Sequence, residues 1–292
     1  MNRQKDTHAL YSLILSMLVF GTIGLFRRHI ALPSGVIAAA RGLTGGSFLL
    51  LLMHCTGKAG TFRSIHPLQL LLLTLTGGLI GFNWILLFEA YNYTSIATAT
   101  LCYYMQPVIV IMLSPLFFHE PLRLRKLVCV AAALLGMVFV SGVPEQGIPA
   151  AGELRGILCG LGAACLYASV VLLNKHILGI DPYAKTTVQL LAAAVVLLPY
   201  LCLTGAFGGI RPDLLSIGML LFVGIFHTGF CYMLYFGAIE RLPAQTSALL
   251  SYIDPVTAIL LSALFLHERM TPLGILGTVL VLGSTVAGEL LP

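Results

Sequence analysis

Charge is what this sequence most lacks. Only 9% of its 292 residues are Asp, Glu, Lys or Arg, where soluble domains carry about a quarter. So few charges cannot cover a water-facing surface, which excludes an ordinary soluble globule. The seven cysteines form no CxxC pair. An odd count without metal-ligand spacing argues against a disulfide frame or a zinc site. Nearly all of them lie inside apolar stretches, where a thiol serves as a small filler. The strict alternation of a lipid-exposed barrel strand is missing too. No GxGxxG, Walker A or G-x-S-x-G pattern occurs, so neither a cofactor nor hydrolysis by this chain is expected. The net charge of +5 does not point to nucleic acid, because the basic residues do not gather into one footprint.

What the sequence has in abundance is apolar runs. Hydrophobic residues make up 58% of the chain, and the mean hydropathy is +0.97. Ten blocks stand out: residues 10–26, 33–53, 68–90, 96–118, 124–143, 156–173, 183–203, 214–239, 244–266 and 272–290. Crossing a bilayer as a helix takes roughly 20 mainly apolar residues. Lipid cannot hydrogen-bond the backbone, so only helices or closed barrels span it. The expected fold class is therefore an all-α membrane protein with ten transmembrane helices. The first block follows Arg3 and Lys5 but runs into Arg27-Arg28 without a small-residue cleavage site, so it reads as a retained span. With the N-terminus placed in the cytosol, ten Lys and Arg fall on the inner side and five on the outer, and all five lysines are inside. The positive-inside rule then predicts a multi-pass plasma-membrane protein with both termini cytoplasmic.

An internal repeat organises these blocks. At an offset of 148 residues, Tyr104 to Glu120 (YMQPVIVIMLSPLFFHE) aligns without gaps with Tyr252 to Glu268 (YIDPVTAILLSALFLHE). Ten of the 17 positions are identical, among them Tyr104/Tyr252, Pro107/Pro255, His119/His267 and Glu120/Glu268. A Leu-rich composition does not put Tyr, Pro, His and Glu in one register. The reading is a duplication: residues 1–143 as a first five-helix unit, 144–155 as a polar linker and 156–292 as a second unit. Five is odd, so the second copy enters the membrane from the opposite side. The result is two inverted five-helix repeats, as in many secondary transporters. Glycine pairs at i, i+4 (Gly42/Gly46, Gly77/Gly81, Gly156/Gly160) predict close helix packing and say nothing about substrate.

Several polar residues fall within the spans. Pro107 and Pro255 sit near the middle of theirs, where proline removes a backbone bond and kinks the helix. The carbonyls they strand belong to Tyr103 and Ser251, and irregular backbone at that depth points to a midplane site. Asp254 is the sharpest single residue, because a mid-membrane carboxylate is costly and usually functional. Ser247, Ser251 and Asp254 share one helix face, and Tyr103 and Gln106 are their first-half counterparts. Arg41 cannot readily lose its charge. It is expected to pair with Asp254, with Glu89 or with a substrate carboxylate. Its mate at the repeat offset, Gln189, is expected to donate a hydrogen bond from the other half. Asn83, Tyr104 and Tyr252 complete the substrate-binding set. Asp254, and less directly Glu89, are the candidates for proton coupling. Packing or internal salt bridges would explain Arg41 as well. His227, Cys231 and Tyr235 stack on the eighth span, where a satisfied packing histidine is the simpler reading. The pairs His119-Glu120 and His267-Glu268 lack the second histidine of a zincin motif, so no metal is expected. They read as helix-start residues, with Pro121 at a first helical position and Thr271-Pro272 as an N-cap and its proline.

The stretch LPAQTSALLSYIDPVTAILLSALFLHERMTPLGILGTVLVLGS resembles the core of the drug/metabolite transporter superfamily, EamA type, and YTSIATATLCYYMQPVIVIMLSPLFFHEPL resembles it too. The AAARGL around Arg41 resembles the family's second-helix arginine motif. The likeness covers the whole chain as two tandem EamA units. It implies a secondary transporter that does not use ATP and is not an enzyme. Its expected action is export of a small organic metabolite such as an amino acid, by alternating access. Its partners would be that solute and the lipid bilayer, and a homodimer is admitted. A lipid-headgroup flippase of the same fold, or a non-transporting membrane sensor or enzyme, is the alternative. Two positions depart from the family pattern. Glycine usually precedes the motif glutamate, where this chain has His119 and His267. A Trp-Gly pair is usual in helices one and six, where this chain has Phe20-Gly21 and Tyr167-Ala168.

Overall fold

The computed structural model describes residues 3–27, 29–94, 96–140, 153–208, 210, 212–265 and 271–290, and among these there is no strand. Its helices are α1 (Arg3–Arg27), α2 (Ser34–Cys55), α3 (Pro67–Tyr93), α4 (Ile96–Tyr103), α5 (Gln106–Phe118), α6 (Leu124–Val140), α7 (Leu154–His176), α8 (Pro182–Leu203), α9 (Leu214–Phe222), α10 (Cys231–Ile239), α11 (Ala244–Leu250), α12 (Ile253–Phe265) and α13 (Pro272–Leu290). A 3-10 turn, Ala59–Ser64, precedes α3, and a π-helical segment, Val223–Phe230, joins α9 to α10. Seven helical stretches among the described residues are long and apolar enough to cross a membrane.

Local chemistry sets the helix starts. His66 accepts from the Leu68 N–H while Gln69 reaches back to the His66 N–H, a reciprocal cap in front of Pro67. Asp181 and Asp213 cap α8 and α9. Thr271 accepts from the Gly274 N–H just before Pro272 opens α13. The expectation for Pro121 is not met. Residues 119–123 are non-helical, and α6 starts only at Leu124. This stretch instead carries Glu120 across to α11. It begins at His119, which takes a left-handed conformation with φ 57°.

The bundle exposes apolar side chains and buries a set of polar ones within a largely apolar core. Leu51, Leu71, Leu116 and Val195 are each more than 60% exposed, whereas Asn83, Asn174, Lys185 and Gln189 are fully buried. A soluble protein would not expose so much contiguous apolar surface. Inside, the repeat is visible as exchanged partners. Helix α3 packs on α7, and α10 packs on α1; α3 packs on α8, and the π-helical segment packs on α2; α4 and α5 pack on α7, and α12 packs on α1. Two groups result, one of α3, α4, α5 and α7, the other of α1, α10 and α12 with the π segment. Helices α2 and α8 pack on each other between them, and α6 packs on α13. The glycine pairs lie at these crossings. A Cβ at Gly77 would come within 2.5 Å of the Gln189 carbonyl, and one at Gly81 within 2.9 Å of the Ala193 carbonyl. Either substitution would push α3 off α8. Gly45 lies equally close to Gly229 on the π-helical segment.

Candidate functional site

The helices are interrupted within one residue of matched positions of the repeat. Between α4 and α5 the break falls at Tyr104-Met105, and between α11 and α12 at Ser251-Tyr252. Pro107 and Pro255 lie just beyond the breaks, within the first turns of α5 and α12. Proline is compatible with a first turn, where its missing N–H needs no partner. The breaks bring the two copies together. The Tyr104 hydroxyl donates to Asp254 Oδ2 at 3.2 Å, and the Tyr252 hydroxyl donates to the Tyr104 carbonyl at 3.4 Å.

Aromatic rings surround this contact. Tyr103 lies 5.7 Å from Tyr104 and 6.1 Å from Tyr167, centroid to centroid. Phe20 lies 5.1 Å from Tyr232 and 6.1 Å from Tyr235. Tyr235 neighbours Tyr167 and Ser251. Asp254 is within electrostatic reach of Tyr103, Tyr104, Tyr232 and Tyr235. Arg41 reaches the same centre from α2. Its Nε donates to Thr228 Oγ1 at 2.9 Å, its guanidinium lies 6.0 Å from the Trp84 ring, and Tyr232 and Tyr103 are its electrostatic neighbours. Arg41, Tyr103, Tyr104 and Asp254 are half-buried, so the centre is not sealed.

The expected pairing of Arg41 with Asp254 or Glu89 is not met. Among the described residues the only ion pair joins Lys185 and Glu240, at 2.9 Å. Glu89 instead accepts from the Tyr200 hydroxyl at 2.5 Å, away from the centre. Gln189 does not face Arg41 either. Its Nε2 donates to Thr76 Oγ1 at 2.7 Å and to Asn174 Oδ1 at 3.0 Å, which ties α8 to α3 and α7. Asn83 donates to the Ala163 carbonyl at 2.6 Å and is likewise engaged between α3 and α7. Gln106 is buried beside the first break, with Oε1 unpaired. Ser251 donates to the Ser247 carbonyl at 2.9 Å. His267 and Glu268 lie outside the described residues.

Several centre residues escape a reading by motif. Tyr167 and Phe20 fill the places where the family pattern has tryptophan, so that departure was the available signal. Tyr232, Thr228 and the π-helical segment had none. Thr228 bonds back five residues, to the Val223 carbonyl at 3.1 Å, and so turns its oxygen toward Arg41. Such bulges often mark functional positions. His227, one residue earlier, pairs its Nε2 with Thr22 Oγ1 at 2.7 Å within a ring of Phe26, Phe222 and Phe226.

Known proteins share this build. A model of the EamA-like transporter family matches residues 8–142 and 154–287. The uncharacterized transporter YxxF of Bacillus subtilis is 30% identical over 96% of this chain and 88% of its own length. An uncharacterized transporter of Archaeoglobus fulgidus is 26% identical over 94% of both chains. Protein PecM of Dickeya dadantii is 26% identical over 71% of this chain and 69% of its own. One solved protein structure superposes with a TM-score of 0.83 over 97% of this chain and 99% of the other. Its 20% identity makes that a likeness of fold. With the matched units covering both halves and seven described helical stretches long and apolar enough to cross a bilayer, the chain belongs to the EamA-like transporter family and is a multi-pass membrane transporter.

Proposed function

We propose that the chain is a secondary transporter that exports a small organic metabolite, such as an amino acid, by alternating access. One observation carries this reading. Arg41 and Asp254, opposite in charge and half-buried, share an aromatic centre without pairing to each other. An uncompensated charge within a bilayer is costly, so such residues are kept for a solute, an ion or a partner. A zwitterion or other polar metabolite would satisfy both at once. The broken helices supply backbone polar groups at the same depth.

In this reading, ten spans form two inverted five-helix units. The exchanged packing of the two halves supports this. So do the helix directions: the start of α1 shares one face with the starts of α8 and α11 and the ends of α7 and α10. Helix α1 therefore starts at the face where its repeat mate α7 ends. The proposed setting is the plasma membrane with both termini cytoplasmic.

Reconstitution into liposomes with a panel of amino acids, nucleobases and sugars, with and without a pH gradient, tests the reading. At least one solute should move faster in the presence of protein. If none does, the transporter assignment of this centre fails. Asp254→Asn should abolish the component driven by pH, and an unchanged component removes Asp254 from coupling.

A further inference from the structure

Three sets of bonds at one face run between the two helix groups. Glu120, in the connection after α5, accepts from the Ala244 N–H at 2.8 Å and from the Gln245 N–H at 3.2 Å, both on the first turn of α11. Gln245 answers: its Nε2 donates to Ser114 Oγ on α5 at 2.8 Å and to the Glu120 carbonyl at 3.4 Å. Lys175, near the end of α7, donates to the Ile239 carbonyl at 3.2 Å and also to the Leu242 carbonyl, at and just past the end of α10. Its ammonium also lies 5.2 Å from the Phe118 ring. Ser114, Glu120 and Lys175 go with the group of α3, α4, α5 and α7. The carbonyls of Ile239 and Leu242 close α10, and Ala244 and Gln245 open α11, which runs on in the chain into α12 and packs across on α5.

These bonds differ from ordinary helix packing. At the centre the groups meet through neutral tyrosine hydroxyls, at 3.2 Å to Asp254 and 3.4 Å to the Tyr104 carbonyl. Here a carboxylate holds the backbone N–H groups of α11, and an ammonium holds the last carbonyls before it. Charged partners make the stronger hydrogen bonds. Both ends of the α10–α11 connection are thereby tied to the other group. The repeated motif glutamate thus acquires a mechanical role beyond that of a helix-start residue.

We propose that Glu120 and Lys175 form a latch that holds this face closed, and that releasing it lets the centre open to this side. The proposal rests on the alternating-access reading. If the groups rock about α2 and α8, parting them at this face must break all three sets of bonds. Residues whose bonds exist in only one of two states set the balance between the states. Removing such bonds shifts the population toward the state that lacks them. It does not simply loosen the protein.

The test is side-specific access to the centre. In protein whose seven native cysteines are replaced, Ser251→Cys places one thiol beside the second helix break. A membrane-impermeant maleimide is then applied to each face of oriented proteoliposomes. Glu120→Gln and Lys175→Met should each raise labelling from the latch face and lower it from the opposite face, with the ratio moving about tenfold. Lys175→Arg, which keeps a cation at that position, should restore the starting ratio. Reciprocity is what a purely structural role would not produce. Faster labelling from both faces, or an unchanged ratio, would overturn the latch. Thermal unfolding of each variant in detergent identifies any that fail to fold, and Glu120→Asp then replaces Glu120→Gln. Solute flux is measured separately, so the latch can fail while the transport reading stands, and the reverse.

Discussion

The two halves share a packing scheme and use it differently. In each, a nitrogen donor on the second helix of the unit reaches a threonine on the third helix of the other unit. In one case Arg41 bonds Thr228; in the other Gln189 bonds Thr76. The neutral amide is absorbed into packing, finding Asn174 as well. The cation keeps donors to spare and stays half-buried beside the tyrosines. The π-helical segment sits on the side of the cation only, and it turns Thr228 toward Arg41. A duplicated scaffold can thus keep one copy of a contact for stability and free the other for chemistry.

Substitutions can break this comparison. The largest effect is expected at Arg41. Arg41→Ala should lower flux on the order of 100-fold, the worth of a hydrogen bond to a charged group. Its melting temperature should stay near wild type, and a large loss of stability would make Arg41 a packing residue like Gln189. Next comes Lys185, fully buried and bonded to Glu240 and to the carbonyls of Asn174 and Ile177. Its repeat mate is Ile37, so the ion pair belongs to the second half alone. Lys185→Met leaves those acceptors without their donor and should cost about 3 kcal/mol in unfolding measurements. Gln189→Leu should cost about 2 kcal/mol, since Thr76 and Asn174 lose their donor, and it should leave flux close to wild type below the melting point. Flux lost without stability would place Gln189 at the centre after all.

Two smaller effects concern helix ends. His119→Gly should stabilise by about 1 kcal/mol, because glycine takes a left-handed φ without the penalty a side chain meets. A lower melting temperature would mean that the His119 side chain holds the turn. The starts of the matched helices α3 and α9 also differ. His66 caps α3 and Asp213 caps α9. Hydrogen bonds from the Ser216 side chain and backbone hold the Asp213 carboxyl below the usual carboxylate range. Its contribution is therefore complete above the unfolded-state pKa of about 4 and fades as the pH falls through the lower folded-state value. Asp213→Asn should flatten that acid-side slope slightly, with little change at neutral pH.

Much of this was legible in the chain. Apolar block lengths and the YxxP…HE repeat carry the membrane class and the duplication, because lipid imposes a length and a polarity on every span. The matched prolines pointed to the level of both helix breaks. Gln189 does donate across to the other half, but to Thr76; an offset alignment shows which residues are equivalent and not what each one faces. The π-helical segment left no trace, since VGIFHTGF is as apolar as its neighbours. Tyr232 stands in no motif of the sequence for the same reason.

Composition and spacing alone were enough for the class of protein, the two units and the residues too polar to be in lipid without cause. Which of those residues serve packing and which stay available was decided only when the helices met. A side chain's partners depend on crossings between segments more than a hundred residues apart, such as Tyr104 with Asp254 and Arg41 with Thr228, and no local pattern encodes the geometry of a crossing.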